Sequence, residues 1–465
     1  MNLTYQSVPL PEALQKLRTV GDFASANQLI ATLLKKDLPH ALRRRLEIET
    51  HILDILVHDE YPYSVDTARQ LMREQIRDFA PEELDALKAD GEADWAFVGG
   101  KPHFHRRFFD NLLKTRDDYR KRLLTPELNE RSDKRKEQLD RNVDVMRKNG
   151  GRNAELRLRA SVQVKKAFEE AGRRVLVHLP IPRAARQTSK IALLGTSPAS
   201  KISVAPLDAE QRTVCFETTL TPDHVFWVEY AYCNQLEFVS PQPAAAKPEV
   251  YDFCLEEEAP HIRFTPYLRF LLEEILDGET NPLKKARRIY DFITHKVRYS
   301  FMPEYALIGN IAEYAAVNLK GDCGVQAILF ITLCRMAGVP ARWQSGLSVS
   351  EFSTGCHDWA EFYVEPWGWL FADPSFGGGA LRSGALDRWN YYFGNLDVFR
   401  MAANSAICVE FIPPKQHFRA DPVDNQTGEV EYENHPLLSY ALETSQTLVS
   451  FKDGAGVETE VKQKV

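Results

Sequence analysis

Cys323 stands between Gly321-Asp322 and Gly324 at the head of an apolar stretch, VQAILFITLCRMAG. A thiol becomes a useful nucleophile when its thiolate is stabilised, and the first turn of a helix does this through unpaired backbone N–H groups and the helix dipole. The pattern predicts a helix that begins at Cys323, stops at Gly338 and is followed by Pro340. It also predicts a Cys323 pKa below the ordinary thiol value. Gly321 and Gly324 permit a tight turn and close approach of a substrate carbonyl. Because the stretch is apolar nearly all round, the helix should be buried and rigid.

A nucleophilic thiol needs a base. His357 opens a strand-like run in which His357, Trp359, Glu361 and Tyr363 share one parity, and Asp373 follows on the next strand. Pro366-Trp367-Gly368 signals the turn between the two. An antiparallel pair then leaves about three residues of slip between Asp373 and the position opposite His357, which calls for a longer turn or a bulge. With that adjustment Cys323, His357 and Asp373 form a nucleophile, a base and a group that holds the base in one tautomer.

These residues resemble the transglutaminase-like superfamily of papain-like thiol enzymes. The resemblance rests on GDCG, the helix ending RMAGVPAR and the run HDWAEFYVEPWGWLFADPSFGG, with spacings of 34 and 16 residues between Cys323, His357 and Asp373. It covers residues 260–380 and implies the same three catalytic roles and a papain-like α+β core. Crosslinking members of the family carry a tryptophan upstream of the nucleophile that helps to stabilise the oxyanion. Here no Trp lies between Trp227 and Trp343. Tyr299, Tyr305 or Asn318 could supply a side-chain donor beside the Cys323 backbone N–H, and spacing does not choose among them.

Other residues have plainer readings. Cys334 returns to the Cys323 face three turns along the helix and reads as core filler. Cys356 is expected on the strand face opposite His357, and so apart from the nucleophile. His103 and His105 read as a surface pair rather than metal ligands, and Trp359, Trp367 and Trp369 as sheet packing. Seven cysteines without a CxxC pair argue against both a disulfide framework and a zinc ribbon.

The elements that must position this site fall into four stretches. Residues 1–173 read as an α-helical region with charge-dense helices, residues 174–258 as a β-sandwich of short Val-, Ile- and aromatic-rich strands, residues 259–400 as the catalytic core, and residues 401–465 as further strands. The fold class is α+β. Thr265-Pro266 and Asn281-Pro282 mark two helix starts before the nucleophile. Hydrophobic residues at 44% and charged residues at 26% over 465 residues describe a globular protein, and a formal charge of −7 disfavours nucleic acid and anionic membrane on average. The opening residues lack the pattern of a secretory signal, and no long apolar window occurs, which makes the cytoplasm the expected compartment.

The expected activity is acyl transfer through a thioester, with water as the second nucleophile: a cysteine peptidase or amidase acting on a protein or peptide, without cofactor or metal. Transfer to an amine, de-glycosylating amidase activity and a non-catalytic binding module are the alternatives. A Cys-x-x-Cys zinc pair, typical of the N-glycanase branch, is absent from the sequence.

Overall fold

The computed structural model describes residues 3–125, 127–198, 201–247, 249–454 and 458–460. Helices dominate the first part: Phe23–Leu34, capped by Asp22, and His40–Ile55 pack together, while Val65–Gln75, capped by Ser64, belongs to a smaller cluster with Leu84, Phe104, Phe108 and Leu112. The helix Phe108–Thr115 and the long helix Glu127–Asn149 follow.

The helical expectation for residues 1–173 fails at Gly151–Val164, which is a 14-residue strand. Ala154, Leu156, Leu158, Ala160, Val162 and Val164 are buried while residues between them face outward, so the period is two. Arg157 and Arg159 on the outer face both pair with Glu229 of the neighbouring strand. The charge-dense segments before Gly151–Val164 are helical as expected, whereas the two arginines of this strand share one cross-strand carboxylate.

That strand is central to one of two five-stranded sheets found among the described residues in this part of the chain. One sheet runs in the order Glu458–Glu460, Leu442–Asp453, Gly151–Val164, Val225–Glu237, Thr188–Ser197. The other runs Pro436–Leu437, Glu429–Tyr432, Arg174–Pro180, Thr213–Thr219, Ile202–Val204. Their inner faces share one core, including Leu156, Val177, Phe216 and Tyr230. The sandwich therefore starts at Gly151 rather than 174, and strands after residue 428 complete both its sheets. The further strands expected after residue 400 are divided between the sandwich and the catalytic core; residues 455–457 and 461–465 lie outside the described residues.

Thr265 and Asn281 cap the helices Pro266–Leu276 and Pro282–Lys296 as expected, each accepting a bond from the backbone three residues on. The central helix Cys323–Met336 is buried from Cys323 to Arg335. It packs on an antiparallel sheet of order Phe393–Gly394, Gly368–Ala372, Thr354–Val364, Ala341–Val349, Arg400–Asn404. A Leu-to-Ala truncation in such a helix costs about 2–5 kcal/mol, so its position is strongly determined. No helix among the described residues is long and apolar enough to cross a membrane.

Candidate active site

Asp322 caps the central helix: its Oδ1 accepts from the Val325 N–H at 3.1 Å. The cap leaves the Cys323 and Gly324 N–H groups in the first turn, where a helix has no internal partner for them. Gly324 has a reason different from the expected turn. A Cβ there would collide with the Tyr305 hydroxyl and come within 2.7 Å of Asp358 Oδ2, so glycine lets both side chains close over the helix start.

The strand pair sets His357. Thr354–Val364 and Gly368–Ala372 pair without irregularity from Ala360↔Ala372 to Val364↔Gly368. Continuing that register places Asp373 opposite Trp359, two residues from His357 and on its face, so the slip is smaller than expected and no bulge is required. His357 Nε2 lies 2.7 Å from Asp373 Oδ2. Asp373 also caps the helix Pro374–Arg382, accepting from the Phe376 N–H at 2.9 Å. Phe376 in turn packs on the imidazole, with ring centroids 4.2 Å apart.

Arg400, which the sequence does not single out, completes this array. It is fully buried, 2.9 Å from Asp373 Oδ2 and 2.7 Å from Asp397 Oδ2. Gly346, at φ +154°, lets the Arg400–Asn404 strand join the sheet, because a side chain there would run into the Met401 carbonyl oxygen. Burial alone would raise the Asp373 pKa, but His357 and Arg400 outweigh it and hold the carboxyl below its ordinary value. Burial, opposed by Asp373, leaves His357 below its ordinary value. The pair is thus a carboxylate with a neutral imidazole whose Nδ1 has no hydrogen-bond partner among the described residues.

Cys323 lines the same cavity as His357, a cleft of about 480 Å³, but its hydrogen bond goes elsewhere. Sγ donates to Asp358 Oδ2 at 3.2 Å and accepts the Asp358 backbone N–H. Burial first, then Asp358 and Asp322, push the thiol pKa well above its ordinary value. This reverses the expected lowering: the helix start is there, yet the thiol is almost closed from solvent and sits beside carboxyl groups. Cys356 does lie on the strand face opposite His357, but that face is shared with Asp358 and is the side on which Cys323 lies, so Cys356 is not apart from the thiol. Cys356 is exposed and lines the cavity.

Cys323 and His357 are both found at an edge of the sheet. The Gly368–Ala372 strand pairs only with residues 360–364 of the histidine strand, so residues 354–359 have that edge open among the described residues. His357 lies on this open stretch, and the sulfur reaches the strand at the next residue.

Among the candidate oxyanion donors, Asn318 donates to the Tyr314 carbonyl and lines a separate cavity of about 1020 Å³. The Tyr305 hydroxyl is engaged at 2.6 Å by Asp322. Tyr299 lines the Cys323 cavity, and burial raises its pKa well above the ordinary value, keeping the phenol protonated. Cys334 is core, packed inside the central helix. His105, expected at the surface, is fully buried with Nε2 3.1 Å from Glu60, and His103 bonds the Tyr61 carbonyl.

Residues 269–374 match the family model of the transglutaminase-like superfamily core, so this segment of the chain is transglutaminase-like. Cys323, His357 and Asp373 all fall inside the match. An uncharacterized protein of Haemophilus influenzae is 28% identical over 137 residues, a match covering 24% of this chain and 37% of that relative. Among solved structures, a candidate cysteine protease from Cytophaga hutchinsonii aligns with 14% identity and a TM-score of 0.39, covering 68% of this chain and 92% of that one. The periplasmic domain of TgpA from Pseudomonas aeruginosa aligns with 13% identity and a TM-score of 0.27, over 54% and 95% of the two chains.

Proposed function

We propose that the protein is a cysteine-dependent acyl-transfer enzyme, a peptidase or amidase that hydrolyses an amide through a thioester on Cys323. The observation that carries this reading is that a helix-start Cys323 and His357, backed by the buried Asp373 and Arg400, line one cavity. His357 uses Nε2 to hold Asp373 and keeps Nδ1 for proton transfer, while the Asp373 carboxylate stabilises the imidazolium that forms.

The raised thiol pKa sets the order of events. No standing thiolate attacks; Cys323 loses its proton to His357 as the S–C bond to the amide carbonyl forms, after the thiol has left Asp358. The developing oxyanion is held by the Cys323 N–H and, in this reading, the Tyr299 hydroxyl. His357 then protonates the leaving amine, and water, deprotonated by the same imidazole, releases the acid. Nothing in this sequence of steps calls on a cofactor or a metal.

The direct test is turnover. Mixed peptides incubated with the enzyme and read by mass spectrometry should show new termini or deamidated side chains, and Cys323→Ala should show none. Equal cleavage by both proteins contradicts the proposal.

A further inference from the structure

We propose that this cavity selects peptides bearing a carboxylate next to the scissile amide, and that Lys114 and Arg135, brought to the cavity by the amino-terminal helices, bind it. The inference rests on the peptidase reading and adds the substrate class.

Both residues line the cavity of Cys323 and His357. Lys114 lies on the helix Phe108–Thr115, its Nζ 4.5 Å from the Tyr299 ring centre and 4.1 Å from that of Phe301. Arg135 lies on the long helix, donates to Ser348 Oγ at 2.7 Å and stands 5.4 Å from the ring of Phe376, the residue packed on His357. The two cations are therefore seated against the flanks of the nucleophile and the base.

Their neighbours show what they lack. Arg106 is paired with Asp59, Glu60 and Glu304, and Arg107 with Asp110 at 3.1 Å. Neither Lys114 nor Arg135 has a carboxylate at ion-pair distance among the described residues. Partly buried cations without a counter-ion are costly, and a bound carboxylate relieves that cost. Burial and Arg107 together lower Lys114 to about 8, which an arriving anion would reverse.

The acidic residues on the cavity's other wall do not serve as the missing partners, because the protein already engages them. Asp322 accepts from Tyr305, Asp358 from Gln426, Asp424 from Ser345, and Asp421 from the Val423 N–H. Burial raises all four carboxyls, Asp322 to about 6 and Asp424 to about 7, which reduces their negative charge near neutral pH. Lys114 and Arg135 thus remain the cations of this cavity without a carboxylate at ion-pair distance among the described residues. A charge-assisted hydrogen bond to a carboxylate is worth about tenfold in affinity.

The test separates binding from chemistry. Rhodamine-labelled alanine hexapeptides with one Glu or one Gln at each position in turn are titrated into Cys323→Ala protein and read by anisotropy. At the best position, Glu should bind at least about tenfold tighter than Gln. Adding Lys114→Gln or Arg135→Gln should bring the ratio within about twofold, whereas Lys114→Arg and Arg135→Lys should keep it. Peptides amidated at the carboxy terminus distinguish a side-chain carboxylate from a terminal one. Equal affinities for Glu, Gln and amidated peptides overturn the inference. With active enzyme, tight acidic peptides that are never cleaved contradict the peptidase reading alone, and cleavage blind to charge contradicts the carboxylate inference alone.

Discussion

The Cys323 thiol donates its hydrogen bond to Asp358 at 3.2 Å and not to the imidazole of the adjacent His357. In this state the proposed nucleophile is a neutral thiol held by a carboxyl group, which on the proposed mechanism makes Asp358 a positioning residue. Asp358→Ala should therefore speed alkylation of Cys323 by iodoacetamide near pH 7.5 several-fold, while the wild-type thiol stays slow near pH 6. Unchanged rates, followed residue by residue in the mass spectrum, would show that Asp358 does not restrain the sulfur.

Arg400 couples stability to chemistry. Replacing it with Met leaves Asp373 and Asp397 as buried carboxylates without their counter-ion, a change that costs about 3–5 kcal/mol. Arg400 also lowers the His357 pKa, so its loss should move the acid limb of kcat/KM to higher pH. Denaturant melts and a pH–rate profile check the two effects separately. A variant with wild-type stability and an unmoved profile contradicts both.

Asp424 gives a pH dependence of opposite sign to the usual carboxylate. Burial and then Asp358 raise it to about 7, so the folded state holds a proton that the unfolded chain releases near its ordinary value. Stability from this group is present at low pH and falls as the pH rises from the ordinary carboxyl range to about 7. Asp424→Asn keeps an acceptor for Ser345 without charge, and should raise Tm at pH 8 by more than at pH 5. A benefit that grows toward acid reverses the assignment.

Tyr299 is the proposed oxyanion donor, because Asn318 lines another cavity and the Tyr305 hydroxyl, though in this one, is committed to Asp322. Tyr299→Phe should lower kcat about 10²-fold or more with a smaller change in KM, since the bond forms only in the transition state. Asn318→Ala should leave both constants near wild type. A loss confined to KM would assign Tyr299 to substrate binding.

The proposed nucleophile, base and orienter are readable from sequence because each sits at a local signal: a glycine-flanked helix start, a strand of fixed parity and an Asp-Pro after a short turn. Arg400 and Asp358 carry no such signal. Arg400 reaches Asp373 through a strand that joins the sheet from the far side, and the role of Asp358 depends on which face of the strand meets the helix. The Gly151–Val164 strand did leave a trace, since its apolar residues alternate, but Arg157 and Arg159 disguise that alternation as charge-rich helix. The pairing of late strands with Gly151–Val164 and Arg174–Pro180 is a long-range contact that no local pattern announces. The Cys323 pKa is misread for a related reason: the helix start is local, whereas burial and the carboxyl neighbours are tertiary.

The most direct measurement is the mass of the acyl-enzyme. Wild-type protein mixed with an activated peptide ester and quenched in acid should carry one hydroxylamine-labile acyl group, mapped by digestion to Cys323. The adduct should be absent in Cys323→Ala and form about 10³-fold more slowly in His357→Ala. An adduct that persists in Cys323→Ala, or one that maps to Cys356 and is indifferent to His357, contradicts the assignment of nucleophile and base.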